Sequence, residues 1–164
     1  MSIRNAAKAI LIHDGKILLN KNQNSVGDAF YDLVNGDIYY DFPGGKQNQY
    51  ETLEEAVIRE CIEESGYTVT VERLAGIYEE ISMNPKARAE YEEYTHRISF
   101  AFICKLTDEA LKPLAEKDLD MLQSEWIPFE DVKNFPLYPK MLRDNIDLLC
   151  TSSTPIYFGS EYVD

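Results

Sequence analysis

Cysteine, histidine and basic residues are all scarce in this sequence, and each shortage closes off a class of function. The three cysteines, Cys61, Cys104 and Cys150, lie far apart and show no C-x-x-C spacing. They indicate neither a disulfide framework nor a zinc site, and they read as buried free thiols of a reducing cytoplasm. The only histidines are His13 and His96, and there is no Ser-His-Asp signature of nucleophilic catalysis. Lysine and arginine number 16 against 29 aspartates and glutamates, a net charge of −13. Long polyanions and anionic membranes bind through Lys and Arg that neutralise phosphates, so this surface disfavours both. Long hydrophobic runs are missing too: residues 9–12, AILI, give way at once to His13-Asp14-Gly15-Lys16, too short for a signal peptide or a membrane span. Neither G-x-x-x-x-G-K-[ST] nor G-x-G-x-x-G occurs, which removes P-loop and dinucleotide-binding readings. Internal repeats and low-complexity tracts are absent.

What remains is ordinary globular material. A chain of 164 residues with 45% hydrophobic and 27% charged residues is long enough to bury a core without cross-links, and we expect one domain over residues 1–164. Apolar runs at residues 7–12 and 16–20 flank Asp14-Gly15, a hairpin signal. Residues 21–37 read as a long polar loop, residues 38–42 as a strand, and residues 69–82 as one or two strands. Residues 83–93 read as a mobile excursion. From His96 to Leu106 apolar residues alternate with Arg97, Ser99 and Lys105, the pattern of a half-buried strand. A strand over residues 121–127 ends near Trp126, Pro128 opens a short helix, and residues 137–150 read as a second long helix. The run Ile156-Tyr157-Phe158 adds an edge strand or covers an open face.

The densest information lies in residues 45–67, GKQNQYETLEEAVIRECIEESGY. Leu53, Val57, Ile58, Cys61 and Ile62 recur at helical spacing, so a helix over residues 52–65 buries that side and Gly66 stops it. Glu60, Glu63 and Glu64 fall within a sector of about 100°, because residues three and four apart share a face. Like charges so placed cost an isolated helix roughly 0.2–0.5 kcal/mol per pair. A divalent cation removes that cost, and hard oxygen ligands suit Mg²⁺, with Mn²⁺ as substitute. Arg59 lies beside the patch, four residues from both Glu55 and Glu63, placed to orient carboxylates. Upstream, Asp41-Phe42-Pro43-Gly44-Gly45-Lys46 reads as a strand end, a Pro-fixed turn and a glycine pair that lets backbone approach a ligand.

The spacing Gly45, five residues, Glu51, seven residues, Arg59-Glu60, two residues, Glu63-Glu64, one residue, Gly66 is that of the Nudix box. The chain therefore resembles a Nudix (MutT-like) hydrolase, with Cys61 and Tyr67 as small departures at apolar positions. The resemblance implies an α/β/α sandwich with a mixed sheet between helices. It also implies Mg²⁺-dependent attack of water on a phosphorus of a small nucleotide, a nucleoside diphosphate linked to X such as ADP-ribose, or a nucleoside triphosphate. By the same resemblance Glu51 and Arg59 form a structural ion pair, Glu60, Glu63 and Glu64 bind metal, and the carbonyl of Gly44 or Gly45 adds a ligand. The general base is a box glutamate or a later acid, for which Glu116, Asp118 and Asp120 stand in the right region. For substrate, Tyr40, His96 and Tyr94 are candidates, and Tyr91, Phe30 and Tyr31 are available to stack on a base. His13 has no evident task. In the ADP-ribose group a proline follows the box by about sixteen residues; here Pro85 stands eighteen after Tyr67. Many relatives are homodimers, in which residues 156–163 would take part. Two rivals are a catalytically idle Nudix module that senses a nucleotide or binds a partner, and the isopentenyl diphosphate isomerase type, whose active-site cysteine has no counterpart on the expected loops.

Overall fold

A computed structural model describes residues 3–29, 33, 36–108, 111–112 and 120–164. Of the sequence expectations, Phe30, Tyr31, Glu116 and Asp118 lie outside the described residues. Arg4–His13 (β1) and Lys16–Gln23 (β2) form the expected hairpin. Its turn residues Asp14 and Gly15 both have positive φ, 49° and 72°, the primed geometry that matches strand twist. The two strands pair only beside the turn, Ile12 with Ile17 and His13 with Lys16, and then separate. On the edge that β2 leaves, β1 takes up Gly44–Lys46 (β4) antiparallel; its other edge carries His96–Asp108 (β6) in parallel. β2 continues with Ile38–Asp41 (β3) and Met121–Pro128 (β7), both antiparallel. Thr68–Ser82 (β5) pairs with β6 as a single strand with several register shifts. Leu137–Tyr138 (β8) and Ile156–Val163 (β9) complete the order β8-β3-β2-β1-β6-β5-β9. β9 is thus the expected edge strand, parallel to β5.

Alternation along the central strands feeds two cores. Ala7, Ala9, Leu11 and Leu18 face one side of the sheet, where Ala56, Val57 and Cys61 of the box helix pack; Ile10, Ile17 and Leu19 face the other, with Leu142, Ile146 and Leu149. The result is a mixed, curled sheet between helices. The box helix, Leu53–Ser65 (α1), has the boundaries its sequence implies. Thr52 Oγ1 accepts from Glu55 N at 3.1 Å while Glu55 Oε2 accepts from Thr52 N at 2.8 Å, a reciprocal cap. Gly66, at φ 77°, ends the helix by donating its N–H to Ile62 O. Thr52→Ala should cost about 1 kcal/mol, seen as a fall in Tm of roughly 2–4 °C in thermal unfolding.

Three segments differ from expectation. Residues 83–93 are helical: Asn84 Oδ1 accepts from Lys86 N and Ala87 N and starts Pro85–Glu90 (α2), followed by a 3₁₀ turn at Glu92–Tyr94. The Asn-Pro pair is a cap with proline at the first helical position, a local signal that outweighs the polar composition. The long helix over residues 137–150 is instead β8, then Lys140–Asp144 (α3) and Ile146–Thr151 (α4). Proline disfavours helical backbone at the residue before it, here Tyr138, which is held as strand, so a helix cannot begin at residue 137. Asn145, at φ −110°, turns its amide onto Met141 O at 2.9 Å, an alternative to the backbone ladder. Pro128 precedes a 3₁₀ helix, Phe129–Asn134. The polar stretch after residue 20 begins as strand to Gln23 and includes a 3₁₀ turn at Gly27–Ala29. Among the described residues no helix is long and apolar enough to cross a membrane.

Candidate active site

The place where β2 parts from β1 is filled by the glycine turn. Ala9 N donates to Pro43 O and Gln47 N to Asn5 O. Those bonds bracket β4 and make Gly45 the hydrogen-bonded partner of Ala7 and Gly44 the non-bonded partner of Lys8. Gly44 therefore points its own N–H and carbonyl away from β1. The N–H donates to Glu64 Oε2 at 2.9 Å and the carbonyl accepts from Lys8 Nζ at 3.1 Å. Its φ is +138°, and a Cβ there would lie 2.0 Å from Ala7 O. A Cβ on Gly45 would lie 2.6 Å from the Glu60 carboxylate, so the missing side chain is the space that the carboxylate occupies.

Arg59 organises the other carboxylates. Its Nε and Nη2 donate to the two Glu51 oxygens at 2.7 and 3.0 Å, and its Nη1 reaches Glu60 at 2.8 Å and Glu63 at 3.1 Å. The Arg59 guanidinium holds the Glu51 carboxyl below the usual carboxylate range. Burial pushes Glu60 up despite Arg59. Glu64 is the deepest of the set, 8% exposed, with Asn20 Nδ2 2.7 Å from Oε2. Burial and then the nearby Asp41 carboxylate push it up to about 8, against Lys8, the Gly44 N–H and Asn20.

A cavity of about 470 Å³ opens over this turn, within the range of small-ligand sites. Glu60, Glu63, Gly44 and Gly45 line it, with Asp41, Asp120, the cations Arg4, Lys8, Lys46 and Arg97, and Tyr39, Tyr91, Tyr94 and Tyr138. Glu64 lies behind Gly44 rather than on the lining. Among the described residues no three carboxylate, histidine or cysteine side chains already converge as a closed metal cage, because Arg59 draws Glu60 and Glu63 to itself. The carboxylates on the lining and the Gly44 carbonyl offer oxygen, and a positive charge of the chain itself, Lys8 Nζ, already sits on that carbonyl. That chemistry fits a hard divalent cation.

The sequence model of the NUDIX domain family matches residues 3–146. The chain belongs to the Nudix family. An ADP-ribose pyrophosphatase of Methanocaldococcus jannaschii is 34% identical to this Nudix chain over 107 residues, 65% of this chain and 53% of that protein. A putative nudix hydrolase 1 of Caenorhabditis elegans is 34% identical over 91 residues, 56% of this chain and 21% of that protein. The alignments thus span about half and about a fifth of those curated relatives. Among solved structures, a NUDIX hydrolase from Nitrosomonas europaea superposes with TM-score 0.67 at 18% identity, covering 90% of this chain and 88% of that one. A MutT protein from Bacillus halodurans superposes with TM-score 0.61 at 22% identity, covering 98% and 90%. These likenesses confirm the Nudix α/β fold.

Glu51, Arg59, Glu60, Glu63 and Glu64 gather around Gly44, Gly45 and Lys46, Gly66 caps the far end of α1, and the substrate candidates disperse. Tyr94 lines the cavity with the Arg4 guanidinium 4.6 Å over its ring, and Tyr91 lines it too. Tyr40 instead points into the core, against Phe135 and with its hydroxyl 3.2 Å from Glu125; its neighbour Tyr39 faces the cavity. His96 is engaged with Glu79 at 2.8 Å, away from the lining. His13 packs near Trp126. Of the three loop acids, Asp120 is described, and it lines the cavity with Ser25 Oγ donating to it. Sequence reading missed Lys8, Asn20 and Asn22, which reach the site from β1 and β2 and belong to no spacing motif.

Proposed function

We propose that the whole chain is one Nudix domain acting as a Mg²⁺-dependent pyrophosphohydrolase on a nucleoside diphosphate linked to a second group, with Mn²⁺ as substitute metal. The observation that carries this is the cavity over the box, where carboxylates and a glycine carbonyl face cations and four tyrosines. Glu60, Glu63 and the Gly44 carbonyl would hold the metal, with Glu64 supporting them from behind. A bound divalent cation supplies charge neutralisation and a more acidic water. The chain's own groups do the rest. Arg4, Lys46 and Arg97 attract the diphosphate, Arg59 fixes the direction of Glu60 and Glu63, and the tyrosines offer faces for a base or sugar. Water adds to one phosphorus, the anhydride P–O bond breaks, and the water proton passes to a carboxylate at the cavity, for which Asp120 and Glu63 are placed.

ADP-ribose is the first substrate to try, supported by the Methanocaldococcus relative and by Pro85, which opens the short helix leading to Tyr91 and Tyr94. A cytoplasmic homodimer belongs to the same reading: β9 offers a sheet edge with Tyr157 and Tyr162 66% and 71% exposed. The test is product release from a panel of ADP-ribose, sugar nucleotides, dinucleoside polyphosphates and nucleoside triphosphates. EDTA should abolish turnover and Mg²⁺ or Mn²⁺ restore it; full activity in chelator would overturn the mechanism. Ligand-induced stabilisation without product would favour a sensing module.

A further inference from the structure

Lys8 is a charged side chain in the middle of a central strand, and its side chain is only 14% exposed. Its neighbours Ala7 and Ala9 point to the α1 core, so strand parity sends Lys8 to the opposite face, beneath the glycine turn. There its ammonium finds three oxygens for its three donors: Gly44 O at 3.1 Å, Phe42 O at 3.3 Å and Asp41 Oδ2 at 3.5 Å. Glu60 and Glu64 are close enough to feel its charge. Asp41 is shared with Asn22, whose amide donates to Oδ1 at 3.1 Å. Two carbonyls and a carboxylate around one positive centre are the kind of donors that a hard metal ion takes. One of them, the Gly44 carbonyl, is the only backbone carbonyl of the glycine pair that the strand register turns away from β1.

We propose that Lys8 is a built-in cation of the site, which holds the Asp41–Gly44 turn together and competes with divalent metal for the Gly44 carbonyl. The inference rests on the metal-dependent reading above and goes beyond it, because it makes metal loading an exchange: the ion displaces the ammonium from Gly44. The displaced ammonium stays at the cavity wall on its four-carbon stem, where the substrate's phosphates need positive charge. Lys8 acts here through the turn and the metal, as a positioning residue.

The experiment compares wild type with Lys8→Met, which keeps an unbranched apolar stem of four heavy atoms and removes the ammonium. In EDTA the variant should melt several degrees lower, since a partly buried carboxylate loses its partner. Lys8→Met/Asp41→Asn should recover most of that loss and, compared with Asp41→Asn alone, serves the titration if the single variant is too unstable. In calorimetric titration with Mn²⁺ the variant should bind roughly tenfold or more tightly than wild type, the scale expected for removing a like charge at this range. Binding by the variant where wild type shows none also supports the competition. Equal or weaker binding by the variant overturns it and leaves the metal reading intact. Absence of Mn²⁺ and Mg²⁺ binding in both proteins overturns the metal reading, and the competition with it.

Discussion

Glu64→Gln is expected to leave the protein folded and to lower turnover of its best substrate by at least about a hundredfold, the size of effect that metal-site groups carry. Folding should survive because a glutamine side-chain oxygen can still accept from the Gly44 N–H and Asn20, the two groups that meet Glu64 Oε2. What is lost is the capacity to carry a negative charge behind the glycine turn, which a bound divalent cation would favour over the proton held in its absence. Unchanged turnover would remove Glu64 from the site. A second signature follows from its proton. The buried carboxyl titrates near 8 in the folded protein and near 4.5, the ordinary value of a solvated glutamate, when unfolded. The folded state then binds this proton more tightly. Its contribution to stability is complete below pH 4.5 and is lost as pH rises through about 8. Metal-free wild type should therefore show a falling Tm across that window, and Glu64→Gln should flatten the slope; equal slopes would mean that Glu64 stays ionised throughout.

Gly44→Ala should be among the most damaging single substitutions for stability. The new Cβ would lie 2.0 Å from the Ala7 carbonyl oxygen and 2.9 Å from Lys8 Cα, both backbone atoms of a central strand that cannot step aside, at a φ of +138°. The strained backbone and the clash together predict a loss of roughly 3 kcal/mol or more, a drop in Tm on the order of 10 °C. Gly15→Ala is the matched control: its φ is also positive, +72°, but nothing lies within 4 Å of the added carbon, so the cost should be about 1 kcal/mol. Similar melting shifts for the two variants would show that the packing against β1 does not matter.

Features legible in the sequence are those written in one stretch of chain. Thr52, Glu55 and Gly66 cap a helix by contacts with their own neighbours, so spacing alone gives the ends of α1. Asn84-Pro85 carries the same kind of local instruction, masked by the charged residues around it. The limits appear where a side chain's direction depends on a distant strand. Tyr39 and Tyr40 are equally plausible in sequence, and only the pairing of Tyr39 with Asn22 and Tyr40 with Lys21 decides which faces the cavity, since one step of register reverses both. Lys8 and Asn20 come to the glycine turn by the same long-range pairing. Glu64 shares the α1 face with Glu60 and Glu63, yet the β4 backbone lies over it, a depth that helical periodicity does not encode.

The divided loyalty of β1 also governs how this chain comes off the ribosome. Its hairpin mate β2 holds it at only two pairs, whereas its parallel partner runs from Arg4 beside Arg97 to Leu11 beside Cys104. Ile10, Ile17 and Leu19, each fully buried at the end, must wait uncovered until Leu142, Ile146 and Leu149, which pack on their face, have been translated. The nascent chain thus passes through a long interval in which its future centre is its stickiest surface, the stage at which a chaperone has most to protect.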